Sequence, residues 1–589
     1  MHEFCEPLPR QAVISILGGK KKKSADITNL SHAHGISSLE MGQVLSSPRL
    51  EEHSPLDDAH VSGLEGLTIY QKKCRLINLE IDRQGMGRYQ WYIWILCGFG
   101  YFLDLLWAQA FGLVLSPVQQ EMGFRDGQSG NISTSFNAGL AAGAIFWGLI
   151  ADIIGRRWAF NLTCLISCTF GLCLGFSNDY TTFLVITAFV GFGVGGNIPV
   201  DSTIFLEFVP HNRRFLLACL SIFQPLGVVV CSAIAFGFIP VYACSPNFSA
   251  KNPLPSCRTT APGAACCLRS DNMGWRYFLY TLGGISLVVF FLRFAVFTFR
   301  ETPKYLVSKG EDAKALETMR HIAKVNRQQC RLTMDDFQLL EPDSSSDEAI
   351  SSDSLIPGQK IVSLMGGSRI RFRRWMERYK VLFSGFQMTR LTILVWLTYI
   401  MDFWGFTVAG FYLPRILALK NGAASASLTF TYAAYIYTYA PGIIGVLLGA
   451  YACRVPAIGR RWTMVVSSGL MGVSIILLSK ADTIAKNESL FALQYFFQSM
   501  FNAVLYGWTP EAFPAPVRGT ACGVASFWGR LFGIVSPLIA QHLYGRTTGP
   551  KGHGDINSVL YLAGGVSLGC VLTTALLPSR LMDAHDERL

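Results

Sequence analysis

From residue 91 to residue 577 the chain alternates between long apolar runs and short polar connections. The runs cover 91–118, 131–150, 158–177, 181–206, 215–240, 275–298, 391–413, 428–451, 462–479, 489–509, 519–543 and 557–577. A helix needs about 20 apolar residues to cross a hydrocarbon core, and backbone groups in hydrocarbon must pair within their own segment. Each run therefore predicts a spanning α-helix. Together they predict an all-α integral membrane protein with twelve transmembrane helices. The second six runs echo the first: Glu207-Phe-Val-Pro-His-Asn-Arg-Arg214 closes the fourth and Glu511-Ala-Phe-Pro-Ala-Pro-Val-Arg518 closes the tenth. That repetition predicts two pseudo-symmetric six-helix halves, at 88–298 and 389–579.

The remaining segments read differently. Residues 1–87 are polar, Ser-rich and without periodicity, which predicts a disordered tail. Within it Lys20–Lys23 reads either as solvated chain or as a contact to anionic lipid. The Ala12–Leu17 apolar stretch is too short for a signal peptide. A central loop spans 299–388. There Ala315, Met319, Ile322 and Ala323 fall at helical spacing, whereas Asp343 to Ser354 is an acidic, serine-rich tract with no means of forming a core. Arg369 to Lys380 is basic with interleaved aromatics and reads as an interfacial helix. Residues 580–589 form a short C-terminal tail.

Composition and charge sharpen this picture. The chain is 51% hydrophobic and only 15% charged, against roughly 25% charged in soluble domains. A net charge of +11 raises nucleic acid as a partner, but the Lys and Arg residues cluster in short segments between the apolar runs. Arg156–Arg157, Arg213–Arg214, Arg460–Arg461 and Arg518 all follow even-numbered runs or precede odd-numbered ones. Under the positive-inside bias this places both termini in the cytosol and removes the case for nucleic acid.

One connection carries a full motif. After the second run the chain reads Gly148-Leu-Ile-Ala-Asp152-Ile-Ile-Gly155-Arg156-Arg157. Gly-x-x-x-Asp-x-x-Gly-Arg-Arg resembles the loop between spans two and three of the major facilitator superfamily of secondary transporters. Gly449 and Gly459-Arg460-Arg461 echo it after run eight, with Cys453 where an acid is expected and three extra residues. Arg300-Glu-Thr-Pro-Lys-Tyr-Leu resembles the segment after span six in sugar porters. The stretch from Gly191 to Glu207 looks closer to synaptic-vesicle-transporter-like proteins and organic-ion and phosphate symporters, although phosphate symporters usually carry Asp where Asn197 stands. The resemblance implies alternating access by rocking of the halves. It also implies a cytosolic gate of salt bridges among Asp152, Arg156, Arg157, Glu207 and Arg213 in one half and Glu511 and Arg518 in the other, with Gly148, Gly155, Gly459 and Arg460 in the gate loops.

Charges inside spans are costly, so each is a functional hypothesis. Four stand out: Asp104, Asp201, Asp402 and Arg530. Asp104, near the middle of the first run, is the leading proton carrier, or else a permanent partner of Arg530. Gly193, Asn197 and Asp201 share one helical face, and Asp201 reads as a second proton site or a partner for loop arginines. Arg530 either holds an anion bidentately or neutralises Asp402 or Asp104. Gln224, Tyr432, Tyr435, Gln494, Gln498 and Asn502 offer hydroxyl and amide contacts to a solute. Gly191-x-Gly193-x-x-Gly196 satisfies a dinucleotide-binding pattern, but that pattern needs a strand–helix unit, and close packing of helices explains it better here.

The loop 241–274 lies on the opposite side. Cys244, Cys257, Cys266 and Cys267 are disulfide candidates with three connectivities open, and Asn247-Phe-Ser is a glycosylation sequon. Asn487-Glu-Ser is a second sequon, but it hugs a span. No Cys-x-x-Cys pair suggests zinc, and no nucleophile–base pair, phosphate loop or metal cluster suggests an enzyme, so neither metal nor cofactor is expected. The expectation is proton-coupled symport of a small polar organic solute, a sugar or an organic anion, by a lipid-embedded monomer in the plasma membrane or an endomembrane of the secretory route. Efflux by proton antiport and a non-transporting sensor are the alternatives.

Overall fold

The computed structural model describes residues 68–578 except 126–127, 249, 251, 297–299, 341–379, 381, 424–426, 456–457, 482, 514–516 and 547–555. Its helices are α1 (Ile69–Gln84), α2 (Arg88–Met122), α3 (Gly130–Ile154), α4 (Arg156–Leu174), α5 (Tyr180–Val194), α6 (Asn197–Phe208), α7 (Leu216–Leu220), α8 (Phe223–Phe238) and α9 (Gly274–Phe291), the last continued by a π-turn at Leu292–Val296. Three short helices follow: α10 (Pro303–Ser308), α11 (Asp312–Val325) and α12 (Met334–Gln338). The second set is α13 (Phe386–Ala423), α14 (Leu428–Tyr439), α15 (Pro441–Ala452), α16 (Gly459–Leu478), α17 (Ile484–Ala512), α18 (Arg518–Arg546) and α19 (Ile556–Ala575). The structure is all-helical among the described residues, apart from one isolated bridge between Ser256 and Cys267.

Each apolar run is helical over most or all of its length. Among the described residues, nine helical segments are long and apolar enough to cross a membrane, and the other three runs lie in α3, α13 and α17. The helices approach closely where glycine replaces bulk, as expected when packing rather than water drives association. A Cβ at Gly191 would lie 2.4 Å from the Phe136 carbonyl oxygen, and one at Gly196 would lie 2.5 Å from Trp147 Cβ. The glycines of the dinucleotide-like pattern therefore serve helix contact.

The N-terminal region departs from expectation. Part of the stretch read as disordered, Ile69–Gln84, is a helix with a capping box at Thr68. Leu76, Ile77 and Ile81 are buried in the same apolar cluster as Ala315, Leu316, Met319 and Ile322 of α11. α1 packs on α10 and shares this cluster with α11, so the helix is held by segments far along the chain. Lys73 Nζ lies 2.5 Å from Asp312 Oδ2, and Glu80 accepts from Arg83 Nη2 at 2.6 Å and Gln84 Nε2 at 2.8 Å. The segments before residue 68, the acidic–serine tract and residues 369–379 lie outside the described residues.

The loop between α8 and α9 is cross-linked as Cys244–Cys267 and Cys257–Cys266, which selects one of the three connectivities. It rests on the end of α2, where Gln120 Nε2 donates to the carbonyls of Pro246 (3.1 Å) and Leu254 (3.2 Å). At the same end Arg276 holds Glu121 through two bonds of 2.7 and 2.8 Å. Asn247 is half-buried in this loop, and Asn487 is buried in α17.

Candidate functional site

Asp104 sits midway along α2 and is 8% exposed; Arg530, on α18, is 1% exposed. Arg530 Nη2 lies 3.4 Å from Asp104 Oδ1, and its Nη1 donates to the carbonyls of Leu140 (3.1 Å) and Gly195 (2.6 Å). One guanidinium from the second helix set therefore ties together α2, α3 and the α5–α6 junction of the first. Gly195 and its neighbour Gly196 break the regular helix there, since α5 ends at Val194 and α6 begins at Asn197. The interruption supplies a carbonyl to the cation.

Asp104 and Arg530 line a cavity of about 90 Å³. Its polar wall also includes Gln109, Ser133, Asn137, Thr407, Gln494 and Gln498, and its aromatic wall is Phe111, Phe136, Phe403, Tyr439 and Tyr495. Of the residues proposed from sequence to contact a proton or solute, Asp104, Gln498 and Arg530 share this cavity, with Gln494 beside them. Ser133 and Asn137, like Gln494 and Gln498, are spaced i, i+4 and share a helical face. That spacing was the available signal for the missed pair.

The other candidates lie elsewhere. Asp201 and Arg293 form an ion pair of 2.9 Å, both fully buried. Arg293 also donates to the carbonyls of Leu96 (3.0 Å) and Phe160 (3.1 Å) and stacks 3.9 Å over the Phe160 ring. The partner of Asp201 is thus a residue of the sixth run, not a loop arginine, because Arg293 reaches back along the bundle from the end of its helix. Asn197 is buried with neither amide atom hydrogen-bonded among the described residues. Asp402 pairs with Asn502, whose amide, oriented to donate, stands 3.0 and 3.2 Å from the two carboxylate oxygens. Neither lines the cavity, and neither do Asn197 and the buried Gln224. Tyr432 donates to the Leu113 carbonyl at 2.7 Å.

At the opposite end from the disulfides, Arg156 pairs with Glu207 at 3.3 Å and Arg460 pairs with Glu511 at 2.7 Å. Arg518 Nε donates to the Pro510 carbonyl, Arg157 is exposed, and Arg213 closes the short turn His211–Arg213. Gly148 faces Gly523 across the two helix sets; Gly155 and Gly459 hold positive φ of 104° and 61°. The side chain of Asp152 lies outside the described residues. Sequence reasoning missed Glu301, which accepts from the backbone N–H groups of Arg156 (3.0 Å) and Arg157 (3.2 Å) and so caps the start of α4. Burial raises the Glu301 carboxyl above the usual range, opposed by those N–H bonds and by Arg156. Nearby, burial pulls the Lys304 ammonium down to about 8, against the attraction of Glu207.

Both ends hold contacts between the helix sets. Tyr432 reaches α2 at one end. At the other, Arg454 stacks 3.6 Å over Phe215, and a Cβ at Gly507 would meet the Ala218 backbone at 2.9 Å.

The model of the Major Facilitator Superfamily matches residues 97–386 and 395–587. MFS siderochrome iron transporter 1 of Ceriporiopsis subvermispora (strain B) is 34% identical over 567 residues, 94% of this chain and 98% of that one. Niacin transporter NiaP of Acinetobacter baylyi (strain ATCC 33305 / BD413 / ADP1) is 23% identical, covering 79% and 89%. Among solved structures, the proton:xylose symporter XylE bound to 6-bromo-6-deoxy-D-glucose aligns with a TM-score of 0.59 at 15% identity, over 83% of this chain and 96% of that one, a likeness of fold.

Proposed function

The chain belongs to the Major Facilitator Superfamily of transporters, and from that premise we propose that it is a twelve-span, proton-coupled symporter of a small organic anion. Its two six-helix halves rock about the central cavity, with the Arg156–Glu207 and Arg460–Glu511 pairs on the cytosolic side and the disulfide-linked loop outside. The solute and one proton are its partners.

The observation that carries the reading is the Asp104–Arg530 pair in the cavity wall, joining the two helix sets. A buried pair is close to balanced between desolvation and attraction, so a change on one partner shifts it strongly. With Asp104 ionised, Arg530 is neutralised and the cavity has no net call for an anion. When Asp104 takes a proton, the guanidinium is left buried with its charge uncompensated. A carboxylate entering the cavity restores neutrality through paired N–H bonds. Proton and anion are then loaded together, and loss of the proton returns Arg530 to Asp104 and expels the anion. Niacin, the solute in the name of one relative, is a small carboxylate of this kind.

One proton with one monovalent anion moves no net charge, so the test reads solute and pH. Proteoliposomes with an entrapped pH dye are given an inward proton gradient and a panel of radiolabelled carboxylates, sugars and organic cations, with protein-free vesicles correcting for passive entry of neutral acids. The expected result is carboxylate accumulation with matching internal acidification, both lost in Asp104→Asn. Uptake of sugars or cations in place of carboxylates, or gradient-driven accumulation that survives Asp104→Asn, overturns the reading.

A further inference from the structure

We infer that the central site is built for a heteroaromatic monocarboxylate, with Arg530 taking the carboxylate and Gln498 donating to an acceptor atom in the ring. The inference rests on the organic-anion reading above and narrows it.

The first observation is the state of the guanidinium. Arg530 Nη1 is committed to two backbone carbonyls and Nη2 makes only a long contact of 3.4 Å to Asp104. Nε has no partner among the described residues. The edge formed by Nε and Nη2 is therefore the one left for a ligand, and two parallel N–H donors on one edge fit a carboxylate bidentately. The fixed Nη1 holds that edge in place before any ligand arrives.

The second observation is an amide with half its capacity unused. Gln494 Nε2 donates to Gln498 Oε1 at 2.7 Å, which fixes the orientation of the Gln498 amide. Gln498 lines the cavity and is 2% exposed, yet its Nε2 has no partner among the described residues. A buried donor without a partner is unfavourable, and a ligand acceptor would satisfy it.

The third observation is the wall. Phe111 and Phe136 meet with centroids 4.8 Å apart, and Tyr439 and Tyr495 meet at 4.7 Å, so each helix set presents an aromatic pair. These faces suit a flat ring. The Asn137 Nδ2 beside them is already engaged by the Ser133 carbonyl at 2.9 Å. At about 90 Å³ the closed cavity is smaller than the ~150 Å³ engineered cavity that takes up a benzene ring, so a ring carboxylate loads only as the wall gives way.

Competition against a radiolabelled carboxylate in proteoliposomes tests the inference, using benzoate and the three pyridine carboxylates, which differ from benzoate only by one ring nitrogen. One pyridine isomer is expected to compete about tenfold better than benzoate, the scale of one hydrogen bond. In Gln498→Met that ratio falls towards one, while Gln224→Met, which alters a buried amide outside the cavity, leaves the ratio in place. Benzoate equal to every isomer in the unaltered protein, or a ratio that survives Gln498→Met or falls as far in Gln224→Met, overturns it. If only aliphatic carboxylates compete, the ring is refuted and the organic-anion reading stands. If no carboxylate competes, both fall.

Discussion

Tyr432 donates its hydroxyl to the Leu113 carbonyl at 2.7 Å, and Leu113 is the residue four before Pro117, inside α2. A proline has no N–H for the carbonyl one turn back. The sequence thus creates an orphan acceptor in one helix set, and a tyrosine from the other fills it. In this structure the bond joins the two helix sets at this end of the cavity.

The first prediction follows. Tyr432→Phe keeps the ring and strands the carbonyl, at a cost of about 1–3 kcal/mol to the closed arrangement. Cysteines introduced near residue 113 should react faster with a membrane-impermeant maleimide in Tyr432→Phe than in its absence. Equal rates would show that the bond does not hold this end shut.

The second prediction concerns a glycine and a buried charge. A Cβ at Gly100 would stand 1.6 Å from Asp201 Oδ2 and 2.5 Å from Arg293 Nη2, so the ion pair occupies the space that a side chain would need. Removing one partner of a buried pair costs about 3–5 kcal/mol. Gly100→Ala and Asp201→Asn should each lower the melting temperature of the detergent-solubilised protein. The double variant should lose clearly less than the sum, because both act on the same pair. Additive losses would separate Gly100 from the pair.

Much of this was legible in the chain, for stated reasons. The apolar runs were legible as helices because a helix pairs its backbone groups within its own segment, as hydrocarbon requires. The Gly148–Arg157 loop was legible because its motif is long and complete. Asp104 and Arg530 stood out because charges in apolar runs are rare. Arg293 is as rare and was passed over, since it sits at the end of its run, where an arginine reads as an interface residue. Ser133, Asn137 and Thr407 carry no charge, and a polar residue on a spanning helix is as often a contact between helices as a ligand to solute. The docking of α1 on α10 was not legible because the segment that receives it lies far along the chain and nothing local names it.

A third prediction is a pH dependence. Burial, assisted by Arg518 and Arg214 and opposed by Glu207, lowers Lys304 from 10.5 to about 8. Below about 8 both folded and unfolded chains hold the proton, and the buried ammonium disfavours the folded state in full. Between about 8 and 10.5 the unfolded chain binds the proton and the folded chain does not, so this group's contribution to stability rises with pH. Lys304→Met should therefore melt higher than the unaltered protein at pH 7.5, with the gap closing towards pH 10. A gap that stays constant would mean that Lys304 keeps its ordinary affinity for the proton.

The fourth prediction joins a backbone angle to a cap. Gly155 holds φ at 104°, a region that disfavours any side chain, and a Cβ there would come 2.3 Å from Glu301 Oε2. That oxygen receives the Arg157 N–H, while its twin receives the Arg156 N–H. Gly155→Ala therefore strains the turn and displaces the cap together. Glu301→Gln keeps one acceptor and removes the charge at the positive end of α4. Loss of a helix cap costs about 0.5–2 kcal/mol, and backbone strain adds about 1–3 kcal/mol. Gly155→Ala should thus lower the melting temperature more than Glu301→Gln, and adding Glu301→Gln to Gly155→Ala should lower it little further. If the second substitution acts at full strength on that background, Glu301 serves some purpose other than holding the start of α4.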